Sequence, residues 1–421
     1  MSPSFRLLSL PVFGLFGVLA LGASNWPGFR GPDHQGVSKD RGFPVSWNAT
    51  NGVLWKTEIP GEGWSTPAVW GNRVFVTTTT EAGAACHVLA LDAKSGKVLW
   101  DREVFRQVPR RKENRNSYAT PSPCTDGKRV YAVFGDGSAL ALDFQGRTVW
   151  TNRSLEFYSQ HGLGSSPILV DGLLVMARDG SSDGADKKVG WQTPWDRSYV
   201  VALDAKTGRE RWRTSRGSSR ISHGTPTLAV VEGRKVVVTE AGDVVQGFDL
   251  KTGKLLWTDR VPGEGKVPSP VVSDGFVFAS GGWGGRESIQ AFPLTSAEGV
   301  SDTRRVWEQK RGNPKVPSLI TVDGRIFSVT DAGVATALDA KTGAVVWQER
   351  LGGNFSASPV SAEGRLYFFA DNAETAVLEA GPVFRVLARN PLEGKVQASP
   401  ALADGRIYLR TDRHLYCVGR R

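Results

Sequence analysis

The sequence predicts an all-β fold: an eight-bladed β-propeller of four-stranded blades, closed by an N-terminal strand that completes the last blade. Three observations carry this. A phrase ending in tryptophan recurs, clearest at residues 91–100 (Leu-Asp-Ala-Lys-Ser-Gly-Lys-Val-Leu-Trp), and again leading to Trp212, Trp257 and Trp347. Weaker copies end at Trp55, Trp150 and Trp307, and Phe384 stands in the eighth place. Successive endings lie between 37 and 62 residues apart, the period of a four-stranded blade rather than of a helical repeat. Independently, proline phrases at Pro67, Pro123, Pro167, Pro226, Pro270, Pro317, Pro359 and Pro400 also count eight.

Each repeat reads as four strands. Proline has no amide hydrogen to give a ladder, so the Ser-Pro and Thr-Pro phrases mark the start of a first strand. Asp126-Gly127, Asp171-Gly172, Asp274-Gly275, Asp323-Gly324 and Asp404-Gly405 are turn signals, with glycine supplying a positive φ. Runs such as Val74-Phe75-Val76 and Val236-Val237-Val238 are β-branched or aromatic and read as second strands. The Asp-x-x-Thr-Gly turn joins third strand to fourth, its Asp placed to accept bonds from its own turn's amides. The recurring Trp residues then act as glue between neighbouring sheets. The last unit, 398–418, has three strands, while residues 53–57 form a fourth strand with no blade, so the two together lock the ring and remove its open edges.

The organisation that follows is a signal peptide over 1–23, an N-terminal extension over 24–52 and the propeller over 53–421. Arg6 precedes the apolar run 7–21 and the small residues Gly22, Ala23 and Ser24, the pattern of an export signal. That run is 15 residues, short of the roughly 20 that a spanning helix needs, so no stable membrane span is expected after cleavage. The protein is then periplasmic or extracellular. Its three cysteines, Cys86, Cys124 and Cys417, are an odd set and read as small buried hydrophobes rather than a crosslink framework. The formal charge of +10 fits an anionic partner, whether small molecule, glycan or exported protein, although solubility alone also accounts for it. Nucleic-acid binding rests on charge alone.

Chemistry is expected where the chain departs from its own repeat. Residues 102–115 carry six cations against two anions, residues 178–197 form an insertion in blade three, and residues 281–286 (Gly-Gly-Trp-Gly-Gly-Arg) interrupt blade five. In a propeller these loops share one face, and strand entries aim further side chains at the same mouth. The candidate channel-mouth pocket comprises Trp64, Tyr118, His161, Arg216, Arg220, His223, Lys266, Trp283, Lys315, Asn354 and Gln397, a polar, aromatic and cationic rim suited to an anion or a sugar. Asp179, Ser181 and Asp183 form the start of a candidate calcium loop, but Gly190 stands where its closing Glu belongs, and Lys187 and Lys188 oppose a cation. The five histidines show no ligand spacing, and there is no nucleophile elbow, phosphate loop or cysteine metal motif.

The Leu-Asp-x-x-Thr-Gly-x-x-x-Trp ending and Ser-Pro-Val opening resemble the pyrroloquinoline quinone (PQQ) type of β-propeller repeat, over essentially all of the expected mature chain. That superfamily contains quinoprotein alcohol dehydrogenases and the outer-membrane assembly lipoprotein of the barrel-assembly machinery. The segments Asn25-Trp26-Pro27-Gly28-Phe29-Arg30-Gly31-Pro32 and Gly352-Gly353-Asn354-Phe355-Ser356-Ala357-Ser358-Pro359 resemble exported bacterial members of the same set. The resemblance to the enzymes implies PQQ with calcium, a ring disulfide of adjacent cysteines and a catalytic Asp. Here no two cysteines are neighbours and no Cys-x-x-Cys-His haem site exists. The expected function is therefore an exported, non-catalytic binding or scaffold module, with a PQQ-dependent oxidoreductase as the alternative.

Overall fold

The computed structural model describes residues 24–420 except 156, 262, 285–286 and 302–303; the expected signal peptide over 1–23 and Arg286 of the blade-five loop lie outside the described residues. Eight antiparallel sheets follow one another along the chain. The first runs Ala68–Trp70, Arg73–Thr80, Ala85–Asp92, Val98–Arg106, and the eighth pairs Ala401–Ala403, Arg406–Arg410 and His414–Val418 with Val53–Glu58. Closure of the ring by an N-terminal strand is therefore observed: Trp55 stands opposite Cys417 and Glu58 opposite His414.

The tryptophan phrase turns out to be an inter-blade device. Each fourth-strand indole donates to a backbone carbonyl in the next blade: Trp55 to Ala93, Trp150 to Ala205, Trp212 to Leu250, Trp307 to Ala340 and Trp347 to Gly381, all at 3.0–3.1 Å. The receiving turn is built by its Asp: the Asp204 carboxylate accepts from the amides of Lys206 and Thr207 and from the Thr207 hydroxyl. Its glycine is obligatory for two reasons. Gly343 has φ +72, and a Cβ there would lie 2.6 Å from the Trp307 ring. Between the sheets the core is apolar, as where Tyr131, Val133 and Trp150 of blade two meet Leu174, Met176 and Leu203 of blade three.

Two blades carry a fifth strand that the repeat pattern did not predict. Gly299–Ser301, in an excursion of blade five, pairs in parallel with the outer strand Leu255–Arg260 of blade four. Val37–Ser38 pairs with the inner strand Val360–Ala362 of blade seven. Both satisfy backbone groups that a sheet edge would leave open.

Val37–Ser38 belongs to a segment that crosses the inner ends of several blades. Trp26 bridges to Val69, the Pro27 carbonyl accepts from Thr125, Gln35 bonds Thr227 and Val272, and Arg30 donates to the carbonyl of Leu319. Trp26 and Arg30 are fully buried. The extension is thus part of the disc's packing and not a loose leader. Among the described residues, no helix is long and apolar enough to cross a membrane.

Candidate functional site

The first strand of every blade lines the channel, and the Ser-Pro or Thr-Pro phrase does more than start it. At seven entries a hydroxyl oxygen accepts the amide of its counterpart in the preceding blade; six of these residues stand before the proline, and Ser318 follows Pro317. Thr66 N donates to Ser122 Oγ, Ser122 N to Ser166 Oγ, Ser166 N to Thr225 Oγ1, and Thr225 N to Ser269 Oγ, each at 2.9 Å. Ser269 to Ser318, Ser318 to Ser358 and Ser358 to Ser399 continue the series at 2.9–3.0 Å. Proline accounts for the use of the side chain at every entry but that of blade six, where Leu319 follows Ser318: the residue after the hydroxyl has no amide to offer, so neighbouring strands are stitched through hydroxyls instead.

All eight hydroxyl residues line one cavity of about 420 Å³. Two residues earlier in the extended chain, side chains face the same way, which builds an upper tier. Trp64, Thr120, His223, Ser356 and Gln397 are in it, and Lys266 joins them beside Val267. Trp191 from the blade-three insertion, Trp283 from the blade-five loop, and Glu113, Arg115 and Asn116 from the basic segment complete the mouth. The three irregular segments therefore converge on one place, and Arg110 of the first pairs with Asp183 of the second at 2.7 Å. Phe29 of the N-terminal segment also lines the cavity.

Burial governs the electrostatics. Lys266 is 2% exposed, and its Nζ lies 3.5 Å from the Glu240 carboxylate. Desolvation raises Glu240 to about 7 despite the pull of Lys266. His223 is held neutral by burial, with its pKa lowered to about 3, and His161 is lowered for the same reason. The His161 ring packs edge-on to Trp191 with centroids 4.7 Å apart. Arg115 is exposed at the mouth and, among the described residues, has no hydrogen bond or ion pair to another side chain.

Of the sequence-derived pocket residues, Trp64, His161, His223, Lys266, Trp283 and Gln397 are brought together. Lys315 stays at the rim, 4.9 Å over the Trp283 ring and paired with Glu287. The other four lie elsewhere. Tyr118 packs on Gly83 beside Lys112 and donates its hydroxyl to the Arg110 carbonyl. Arg216 is buried between sheets, bound to Asp179, Thr239 and Gln246. Arg220 pins loops by donating to the carbonyls of Gln192 and Gly263. Asn354 is exposed and is not in the cavity wall. These positions follow loop paths that strand periodicity does not encode.

Nor do the candidate calcium ligands converge. Asp179 is buried against Arg216, where desolvation nevertheless raises it to about 6, Asp183 faces Arg110, and the Ser181 hydroxyl accepts from the Gln160 amide. Among the described residues no group of three or more His, Cys, Asp or Glu side chains is placed to hold a metal. Phe29, Trp191, Arg115 and the hydroxyl tier were missed as site residues; the recurrence of Ser or Thr before seven of the eight entry prolines, and after Pro317 at the other, was the available signal for the last.

The family model described as outer membrane protein assembly factor BamB matches residues 27–182, 196–322 and 300–381. Curated relatives include the tetrathionate hydrolase of Acidithiobacillus ferrooxidans, 28% identical over 54% of this chain and 44% of that protein. Another is the assembly factor BamB of Moranella endobia, 24% identical over 67% of this chain and 66% of its own. The chain thus spans about half to two thirds of the length of these relatives. Among solved structures, the quinohemoprotein alcohol dehydrogenase of Comamonas testosteroni superposes with a TM-score of 0.66 at 13% identity, covering 94% of this chain and 81% of that one, a likeness of fold. The matched segments take in most of the ring, and the chain belongs to the BamB family of outer membrane protein assembly factors.

Proposed function

We propose that the protein is an exported, non-catalytic binding module, in which a rigid disc presents a ligand cup at the mouth of its channel and a basic loop face around it to an exported protein partner. The observation that carries the reading is the convergence of all three irregular segments on one cavity with an exposed Arg115 at its mouth. A periodic scaffold gains nothing structural from three insertions that meet; rigid elements carrying variable loops are how folds acquire binding sites. Family membership supports a scaffold role but transfers no activity by itself.

The second reading is a quinone-dependent oxidoreductase, favoured by the disc shared with a quinohemoprotein enzyme. The cavity wall does not fit the PQQ and calcium pair that the resemblance implies. Among the described residues its only lining carboxylate is Glu113, two residues before Arg115, whereas calcium takes six to eight oxygens with carboxylates among them. Cys86, Cys124 and Cys417 are buried free thiols in different blades, so no ring disulfide faces the cavity.

Melting temperature and tryptophan fluorescence, followed with PQQ plus Ca²⁺ and separately with acidic oligosaccharides, test the two readings together with a dye-linked alcohol oxidation assay. The expected outcome is a saturable rise in melting temperature with an acidic ligand, by mass action, lost in Trp283→Ala and without dye reduction. Alcohol-dependent dye reduction with PQQ and Ca²⁺ would overturn the non-catalytic reading.

A further inference from the structure

The hydroxyl tier has a chemical consequence beyond stitching blades together. Seven of its members spend a lone pair accepting a backbone amide, so the hydroxyl proton of each remains to be donated. Among the described residues, none of Ser122, Ser166, Ser269, Ser318, Ser358 or Ser399 donates that proton to a protein acceptor. A ring of O–H donors therefore surrounds the cavity, with the Lys266 ammonium, itself 3.5 Å from the Glu240 carboxylate, in the tier above it and the exposed Arg115 guanidinium at the mouth. Hydroxyl donors whose protons point at no protein acceptor, in a wall that also carries cations, form a receptor for an oxyanion.

The upper tier asks for something different. Trp64 Nε1, a donor, and Gln397 Oε1, an acceptor, are both buried without protein partners, as is His161 Nδ1. Burying such atoms without a partner is costly, and all three belong to side chains of the cavity wall. An acceptor among them requires a ligand that donates as well as accepts, which hydroxyl groups do and a polycarboxylate ring does not. Around these atoms stand three indoles, Trp64, Trp191 and Trp283, from three different blades, the flat apolar surfaces on which a ring's C–H faces pack.

Resting on the reading of the cup as a ligand site, we infer that its ligand class is an acidic sugar, a uronic acid or the uronate end of a glycan: the carboxylate enters the donor ring, and the hydroxyl-bearing pyranose lies among the three indoles. A cavity of about 420 Å³ falls within the range of small-ligand pockets. The Arg115 guanidinium meets the acid first, because it is the exposed cation of the wall.

The test is calorimetric titration of the purified protein with glucuronate and digalacturonate against glucose and cellobiose, with PQQ as an unrelated acidic probe. The uronates are expected to bind at least about tenfold more tightly than the neutral sugars, the ratio that one charge-assisted contact supplies. Lys266→Met combined with Glu240→Gln should erase that preference. Arg115→Gln, at an exposed position that the fold does not need, should reduce the preference several-fold and guards against misfolding of the buried pair variant. Neutral sugars binding as tightly as uronates, or a preference surviving in both variants, would overturn the assignment. Binding of PQQ without binding of any sugar overturns it too, but leaves the cup as a ligand site. If no probe binds, both readings fall.

Discussion

At Glu240, burial and not pairing sets the proton affinity. The carboxyl is raised to about 7 by desolvation although Lys266 lies beside it. In the unfolded chain the same group ionises near 4.5, so between about 4.5 and 7 the folded state keeps a proton the unfolded state has released, and stability falls as pH rises through that window. Asp179, raised to about 6, acts in the same direction. His34 and His223 oppose it, because burial lowers them to about 4 and about 3; their contribution grows as pH rises toward about 6.5. Replacing Glu240 by Gln removes one arm only. Urea unfolding midpoints should show Glu240→Gln gaining on the wild type from pH 5 to pH 8, and a difference constant across that range would contradict the account. The ionisation at Glu240 was not legible in the sequence, where it is one acid in a strand; only the sheet packed over it takes its water away.

At the scale of the element, the third-to-fourth-strand turn and the preceding blade's tryptophan form one unit. Gly343 adopts φ +72 and passes under the Trp307 ring, whose indole bonds the Ala340 carbonyl three residues earlier. Gly343→Ala would meet both a left-handed backbone cost of about 1–2 kcal/mol and an overlap with the ring of about 1–3 kcal/mol. A loss of about 2–5 kcal/mol by denaturant unfolding is expected, and a loss under about 1 kcal/mol would show that the ring yields freely. Sequence gave this unit's existence, because Asp, Gly and Trp recur at fixed offsets. It did not give the partner, for the Trp of one repeat serves the Gly of the next, a relation between blades rather than within one. The same holds for the hydroxyl tier: Ser or Thr beside each proline was visible, whereas its inter-blade bonding was not.

The whole molecule depends on closure at two levels. Val53–Glu58 covers the outer edge of the last blade, and the preceding segment bonds several blades from within, with Phe29 in the cavity wall. A chain starting at residue 59 should lose both, leaving His414–Val418 as a bare edge, and edge strands of that kind pair with other chains. Size-exclusion chromatography is expected to show oligomers or aggregate and a broadened unfolding transition; a monomer with undiminished cooperativity would count against closure as a source of stability. The all-β class, the eight blades, the four-strand repeat and the closing strand were determined by the sequence alone, since each rests on local signals, turn chemistry, strand composition and a repeated period, that the fold reproduces eight times. Tertiary structure alone decided which loop side chains reach the channel, that Arg216 is buried while Arg115 is exposed, and that the N-terminal segment supplies Phe29 to the cup. Those depend on unrepeated loops and on contacts between residues far apart in the chain, and no local pattern carries the path of a loop that occurs once.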